Sequence, residues 1–245
     1  MPCRSGSSVA VATARPRSAV LGSLTAAAAA NTLPALAPLA PPLARALRIP
    51  RTLGGDGVAL TFDDGPHPEG TVAVLEGLRE AAAPAAFFLI GEQVRSNPSL
   101  AAEIVAAGHA VELHGDRHRN QLRLTPAQML EDMRRGAAAI EDASGRAPRF
   151  YRPPYGIFSA AGLWTVNRTS WQPLLWSRWG HDWRRSASAA SITAEASRDL
   201  GPGDVVLLHD SDAYSAPGSW VNTAEALPAI LEQIERGGLS PVGLA

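Results

Sequence analysis

From Val58 onward, short apolar runs alternate about seven times with segments of helical period, and a chain patterned this way folds most naturally as a parallel sheet covered by helices. Val58, Leu60 and Phe62 alternate as a strand, and Thr71 to Ala82 reads as a helix. Ala85 to Ile90 is a continuous apolar run suited to a strand buried on both faces. A helical stretch then ends at Gly108, and His109 to Leu113 is the next strand. Thr125-Pro126 with Gln128 forms a capping box that opens a helix running towards Ser144-Gly145. Phe150-Tyr151, Leu174 to Trp176, Val205 to Leu208 and Pro241-Val242 complete the expected strands, and Asn222 to Arg236 the last helix. With this many units, a closed or nearly closed α/β barrel is favoured over a doubly wound open sheet. In either form the carboxyl ends of the strands carry the chemistry.

Four strand ends bear suitable residues. Thr61-Phe62-Asp63-Asp64-Gly65, followed by Pro66, seats two carboxylates where a strand stops. Successive strand residues point to opposite faces, so both acids can serve one site only beyond the regular strand, which Gly65-Pro66 is expected to end. His114 and His118 are four apart, a spacing that on a helical turn puts both imidazoles on one face. With Asp64 they make a two-histidine, one-carboxylate set that leaves coordination positions open. Arg152-Pro153-Pro154-Tyr155-Gly156 follows another strand, and its arginine is placed to hold a carboxylate such as Asp63 bidentately. Val205 to Leu208 delivers His209 and Asp210. All six tryptophans and all three tyrosines lie beyond residue 150, so any flat surface for stacking on a sugar belongs to the second half of the chain.

Composition removes several classes. A net charge of −1 gives no electrostatic case for nucleic acid or an anionic membrane. All 22 basic residues are arginine, which excludes a lysine Schiff base and a phosphate-loop lysine. The single cysteine, Cys3, cannot form an internal disulfide. Residues 1–53 form an Ala/Pro-rich leader ahead of a domain at 54–245: Arg4, Arg15 and Arg17 precede an uncharged run from Ser18 to Ala44, with small residues at Ala28-Ala29-Ala30. The leader reads as an export signal or a disordered segment, and its prolines argue against a membrane-spanning helix. A secreted or cell-envelope location is the expectation, with the cytoplasm as the alternative.

In order, T-F-D-D-G-P, H-x-x-x-H, R-P-P-Y-G, D-W and L-L-H resemble the five signature regions of the polysaccharide deacetylases, carbohydrate esterase family 4 with its NodB homology domain, over about Gly57 to Ala245. The resemblance implies a distorted (β/α)7-8 barrel and metal-dependent removal of N- or O-acetyl groups from a glycan such as peptidoglycan, chitin-like oligomers or xylan. It implies Asp63 as base, Asp64, His114 and His118 as ligands of a divalent metal, zinc first and Co, Mn or Ni after it, and Arg152 as the residue orienting the base. His209 becomes the acid, tuned by Asp182, Tyr155 lends its backbone amide to the oxyanion, and Trp183 and Leu207 wall the acetyl methyl. An acetylated polysaccharide is the expected partner; no protein partner is indicated. The family usually has serine or threonine where this chain has Gly115, so the loop between the ligands loses a hydroxyl. Asp116 is the expected substitute, bonding a histidine nitrogen. Other readings are a barrel amidohydrolase acting on a small cyclic amide or imide, a glycan-binding relative without catalysis, and a structural protein working through its leader.

Overall fold

Seven strands, β1 (Ala59–Asp63), β2 (Ala86–Leu89), β3 (Ala110–Leu113), β4 (Phe150–Tyr151), β5 (Gln172–Pro173), β6 (Arg178–Trp179) and β7 (Val205–His209), form one sheet in the computed structural model, which describes Met1 and residues 29–244. Every strand pairing is parallel and the order is β5-β4-β3-β2-β1-β7-β6. The sheet curls into a distorted (β/α) barrel that stays open between its edge strands β5 and β6. β1 lies near the middle and all five of its residues are buried, as its apolar alternation and continuation into acids require.

Register sets the level of the chemistry. Asp63 pairs across β1 and β7 with His209, and Leu113 pairs with Tyr151, so the next residues along, His114 and Arg152, emerge side by side. Helices α1 (Pro41–Ala46), α2 (Gly70–Glu80), α3 (Gly91–Ser96), α4 (Pro98–Ala106), α5 (Pro126–Ser144), α6 (Ala160–Val166), α7 (Ala189–Ala196) and α8 (Ser219–Arg236) connect the strands. The capping box of α5 forms as read: the Thr125 side chain accepts from Gln128 N and the Gln128 side chain accepts from Thr125 N. Gly145 ends the same helix at φ 68°, a left-handed value that glycine takes without strain.

Leu174 to Trp176 is buried but does not form a strand. β5 and β6 lie on either side of it, and its carbonyls go to arginines instead of a ladder: Arg152 donates to Leu174 O and Leu175 O, and Arg51 to Trp176 O. Pro241 makes a single parallel bridge with Val58. Residues 29–53, read with the leader, pack on the barrel. Ala37, Ala44 and Ile49 are buried in the main core, Leu175 N donates to Pro50 O (2.9 Å), and Ala161 N donates to the Asn31 side chain (3.3 Å). Cys3, Arg4, Arg15, Arg17 and the start of the Ala28-Ala29-Ala30 segment lie outside the described residues. Among the described residues no helix is long and apolar enough to cross a membrane.

Candidate metal centre and active site

Asp63 is the last residue of β1, and Asp64 follows it at φ 80°. This left-handed turn, costing an ordinary residue roughly 1–3 kcal/mol, brings the second carboxylate round to the side of the first. His114 Nε2 stands 3.7 Å from Asp63 Oδ2 and 3.4 Å from Asp64 Oδ1. The strained angle therefore falls on Asp64, whereas the sequence pointed to Gly65. Glycine is required at 65 for another reason: a Cβ there would run into the Asp210 carboxylate.

His114 and His118 do converge, but from a loop and not from a helical turn. Gly115 has φ 98°, a value that bends the chain out of helix and that a side chain would strain. A Cβ at Gly115 would also stand 2.9 Å from Asp132 Oδ2. That carboxylate accepts from Asp116 N at 3.0 Å and pairs with Arg119, so a residue of α5 holds the loop where a hydroxyl was missed. Asp116 does not bond a histidine: it turns away to Arg95 at 2.6 Å and Arg135 at 3.5 Å.

The donors suit a metal ion. His114 Nδ1 is 2.8 Å from Arg152 O, which makes Nδ1 the protonated nitrogen and leaves the Nε2 lone pair directed at Asp64. His118 Nε2 is likewise 3.4 Å from Asp64 Oδ1, and that oxygen is buried with no hydrogen-bond partner among the described residues. Bonds of ~2.1 Å in a tetrahedral site place donor atoms about 3.4 Å apart. Burial alone would raise the Asp64 carboxyl, but the close approach of the His114, His209 and His118 imidazoles outweighs it and holds it below the usual range. Burial lowers His118 to about 4, so its ring is neutral, as a ligand must be.

Arg152, wholly buried, donates from one guanidinium nitrogen to Asp63 Oδ1 (2.6 Å) and to Thr61 Oγ1 (3.0 Å). The bidentate grip expected from sequence is absent because its other nitrogens are taken by Leu174 O and Leu175 O. Its guanidinium also lies 3.9 Å from the Phe88 ring centroid. At the facing strand end, Asp182 accepts from His209 twice: Nδ1 at 2.9 Å and the backbone N at 2.6 Å, with Thr223 Oγ1 donating to it as well. Burial would lower His209, yet the charge and hydrogen bond of Asp182, aided by Asp64 and Asp63, raise it to about 10.

These groups open into one cavity of about 310 Å³, to which Tyr155, Trp179, Trp183, Leu207 and Tyr214 supply the other surfaces. Tyr155 sits at φ 62° with its ring exposed. Asp116 apart, the ten residues given catalytic, pocket or ligand roles from sequence thus meet in one place or, for Arg152 and Asp182, directly behind it. Residues 51–173 match the family model described as polysaccharide deacetylase.

The chain belongs to the polysaccharide deacetylase family. It is 37% identical over 192 residues to a chitooligosaccharide deacetylase of Bradyrhizobium sp. (strain ANU 289), covering 76% of this chain and 87% of that one. A peptidoglycan-N-acetylglucosamine deacetylase of Bacillus cereus is 33% identical over 183 residues, 74% of this chain and 83% of the relative. Among solved structures, a family 4 carbohydrate esterase from Streptomyces lividans in complex with acetate superposes with a TM-score of 0.70 at 34% identity, over 79% of this chain and 94% of that one. The family and the named deacetylase relatives indicate that the chain is a hydrolase acting on carbon–nitrogen bonds.

Several residues of this polysaccharide deacetylase's site escaped the sequence reading. Thr61 had a signal: two residues before Asp63 on one strand, it shares that residue's face and so reaches the same guanidinium. Thr223 on α8, Asp132 on α5, and Tyr214 in the loop after β7 had none, since each meets its partner only through the tertiary fold.

Proposed function

We propose that this polysaccharide deacetylase removes N-acetyl groups from N-acetylglucosamine residues of a cell-envelope or extracellular glycan, chitin-like or peptidoglycan, with zinc held by Asp64, His114 and His118. The observation that carries the reading is the pairing of that donor set with two groups held by ion pairs: Asp63 on the Arg152 guanidinium, and His209 on the Asp182 carboxylate. The named activities of the relatives support an amide substrate of this kind.

Lewis acidity, which polarises the acetyl carbonyl and acidifies water, is the chemistry such an ion supplies when bound. Asp63 accepts the proton of the attacking water, its carboxylate held in one orientation by Arg152 and Thr61. The backbone amide of Tyr155 donates to the oxyanion, a contribution of the kind worth ~3 kcal/mol per donor. Leu207 and Trp183 bound the space for the methyl. His209, kept protonated by Asp182, gives its proton to the departing sugar nitrogen, which leaves poorly as an anion. Trp179 and Tyr155 offer ring surface to the sugar.

Acetate release from N-acetylglucosamine oligomers tests the reading. Activity should vanish on chelation and return with zinc; release that persists at full rate in the chelated protein would refute the metal role.

The acid assignment has its own test in the pH profile. Because Asp182 raises His209, Asp182→Asn should lower it, so the protonated acid is lost at lower pH and the alkaline limb of kcat/KM moves acidward by about one unit or more. An unmoved limb would remove His209 from the acid's place.

A further inference from the structure

Of the three donor residues, His118 is held differently. His114 is fixed through Nδ1 by a backbone carbonyl, the usual way to orient a ligating imidazole. Nδ1 of His118 is buried and has no hydrogen-bond partner among the described residues. Its ring lies instead between two aromatic rings. Tyr214 stacks on it face to face, centroids 4.3 Å apart and planes within 11°, while Tyr155 meets it at 4.3 Å and 68°.

Tyr214 is itself anchored. Its hydroxyl donates to Glu92 Oε1 at 2.7 Å and accepts from Gln93 Nε2 at 3.3 Å, both in the first turn of α3. Glu92 Oε2 lies 3.7 Å from Nε of Arg117, the residue before His118. The first turn of α3 and the loops after β3 and β7 are thereby joined around Tyr214 and Glu92.

We propose that Tyr214 is a positioning residue for the metal: its ring orients His118 in place of the missing hydrogen bond, and its hydroxyl, bound to Glu92 and Gln93, keeps that ring in register. The inference rests on the reading that Asp64, His114 and His118 bind a divalent ion. Tyr214 does not have to touch substrate for this role, so its effect belongs to metal affinity measured without any glycan present.

Competition with a chromophoric chelator gives the zinc Kd of each variant directly, and the visible spectrum of the cobalt form reports the geometry of the donors. Tyr214→Ala should weaken zinc binding about 10- to 100-fold, the range expected when a support behind a ligand is lost, and alter the cobalt spectrum. Tyr214→Phe, which keeps the ring and loses the anchor, should fall between it and wild type. Tyr214→Leu, of closer volume but with no aromatic face, should behave like the alanine variant and decides the matter should that variant fail to fold. Wild-type zinc affinity in the leucine variant would overturn the proposal while leaving the metal site intact; absence of zinc binding by wild type would overturn both.

Discussion

Asp63→Asn is expected to lower kcat for acetate release by 10²- to 10⁴-fold with little change in KM, because the amide keeps the shape of the carboxylate and loses its capacity to take a proton. The zinc affinity should stay near wild type, since Asp64, His114 and His118 are untouched. A stability cost accompanies the loss. Arg152 is wholly buried, and with asparagine beside it the guanidinium keeps hydrogen-bond acceptors but no countercharge. Kinetics should therefore be measured well below the variant's Tm. Activity within a few-fold of wild type in folded, zinc-loaded Asp63→Asn would remove Asp63 from the role of base.

The second large effect lies in stability. Arg152→Met should destabilise the protein by about 3–5 kcal/mol, the usual result of breaking a buried ion pair from one side. It leaves Asp63 buried without a cation and strips a donor from each of Thr61, Leu174 O and Leu175 O. At ~2–4 °C per kcal/mol for a chain of this size, Tm should fall by roughly 6–20 °C. Combining Arg152→Met with Asp63→Asn removes both charges and should cost much less than the sum of the two single changes, while the double variant stays inactive. Additive costs would mean that the pair does not act as a unit. This cycle separates what Arg152 does for the fold from what it does for Asp63, which an activity assay alone cannot.

Much of this arrangement was legible in the chain because strand ends punctuate sequence strongly. Asp63-Asp64 before Gly65-Pro66, His114 after a buried strand, and His209 after Val205 to Leu208 each mark a place where an apolar run stops at polar residues. A parallel sheet gathers such places at one edge. Local spacing was a poorer guide to conformation. Four residues separate His114 from His118, which fits a helical face, yet the positive φ of Gly115 gives a loop that converges the same rings. Leu174 to Trp176 carries strand-like residues, but its backbone serves arginines that come from distant points in the chain. Asp116 illustrates the same limit. Its neighbours in sequence are histidines, while its partners in space, Arg95 and Arg135, stand on α3 and α5.

The gap between β5 and β6 has a consequence for where the folded unit begins. Trp176 sits in that gap, with Gly156 behind its ring and Pro38 packed against the same glycine, so a Cβ at 156 would meet both. Pro50 accepts the Leu175 amide and Arg51 donates to Trp176 O. The stretch ahead of β1 thus works as a wedge in the seam of the barrel, and the carbonyls that grip Arg152 come from the segment it supports. A shortened chain beginning at residue 54 would lack a side of the seam on which the orientation of Asp63 depends, and a form meant to keep the site should start ahead of Asn31.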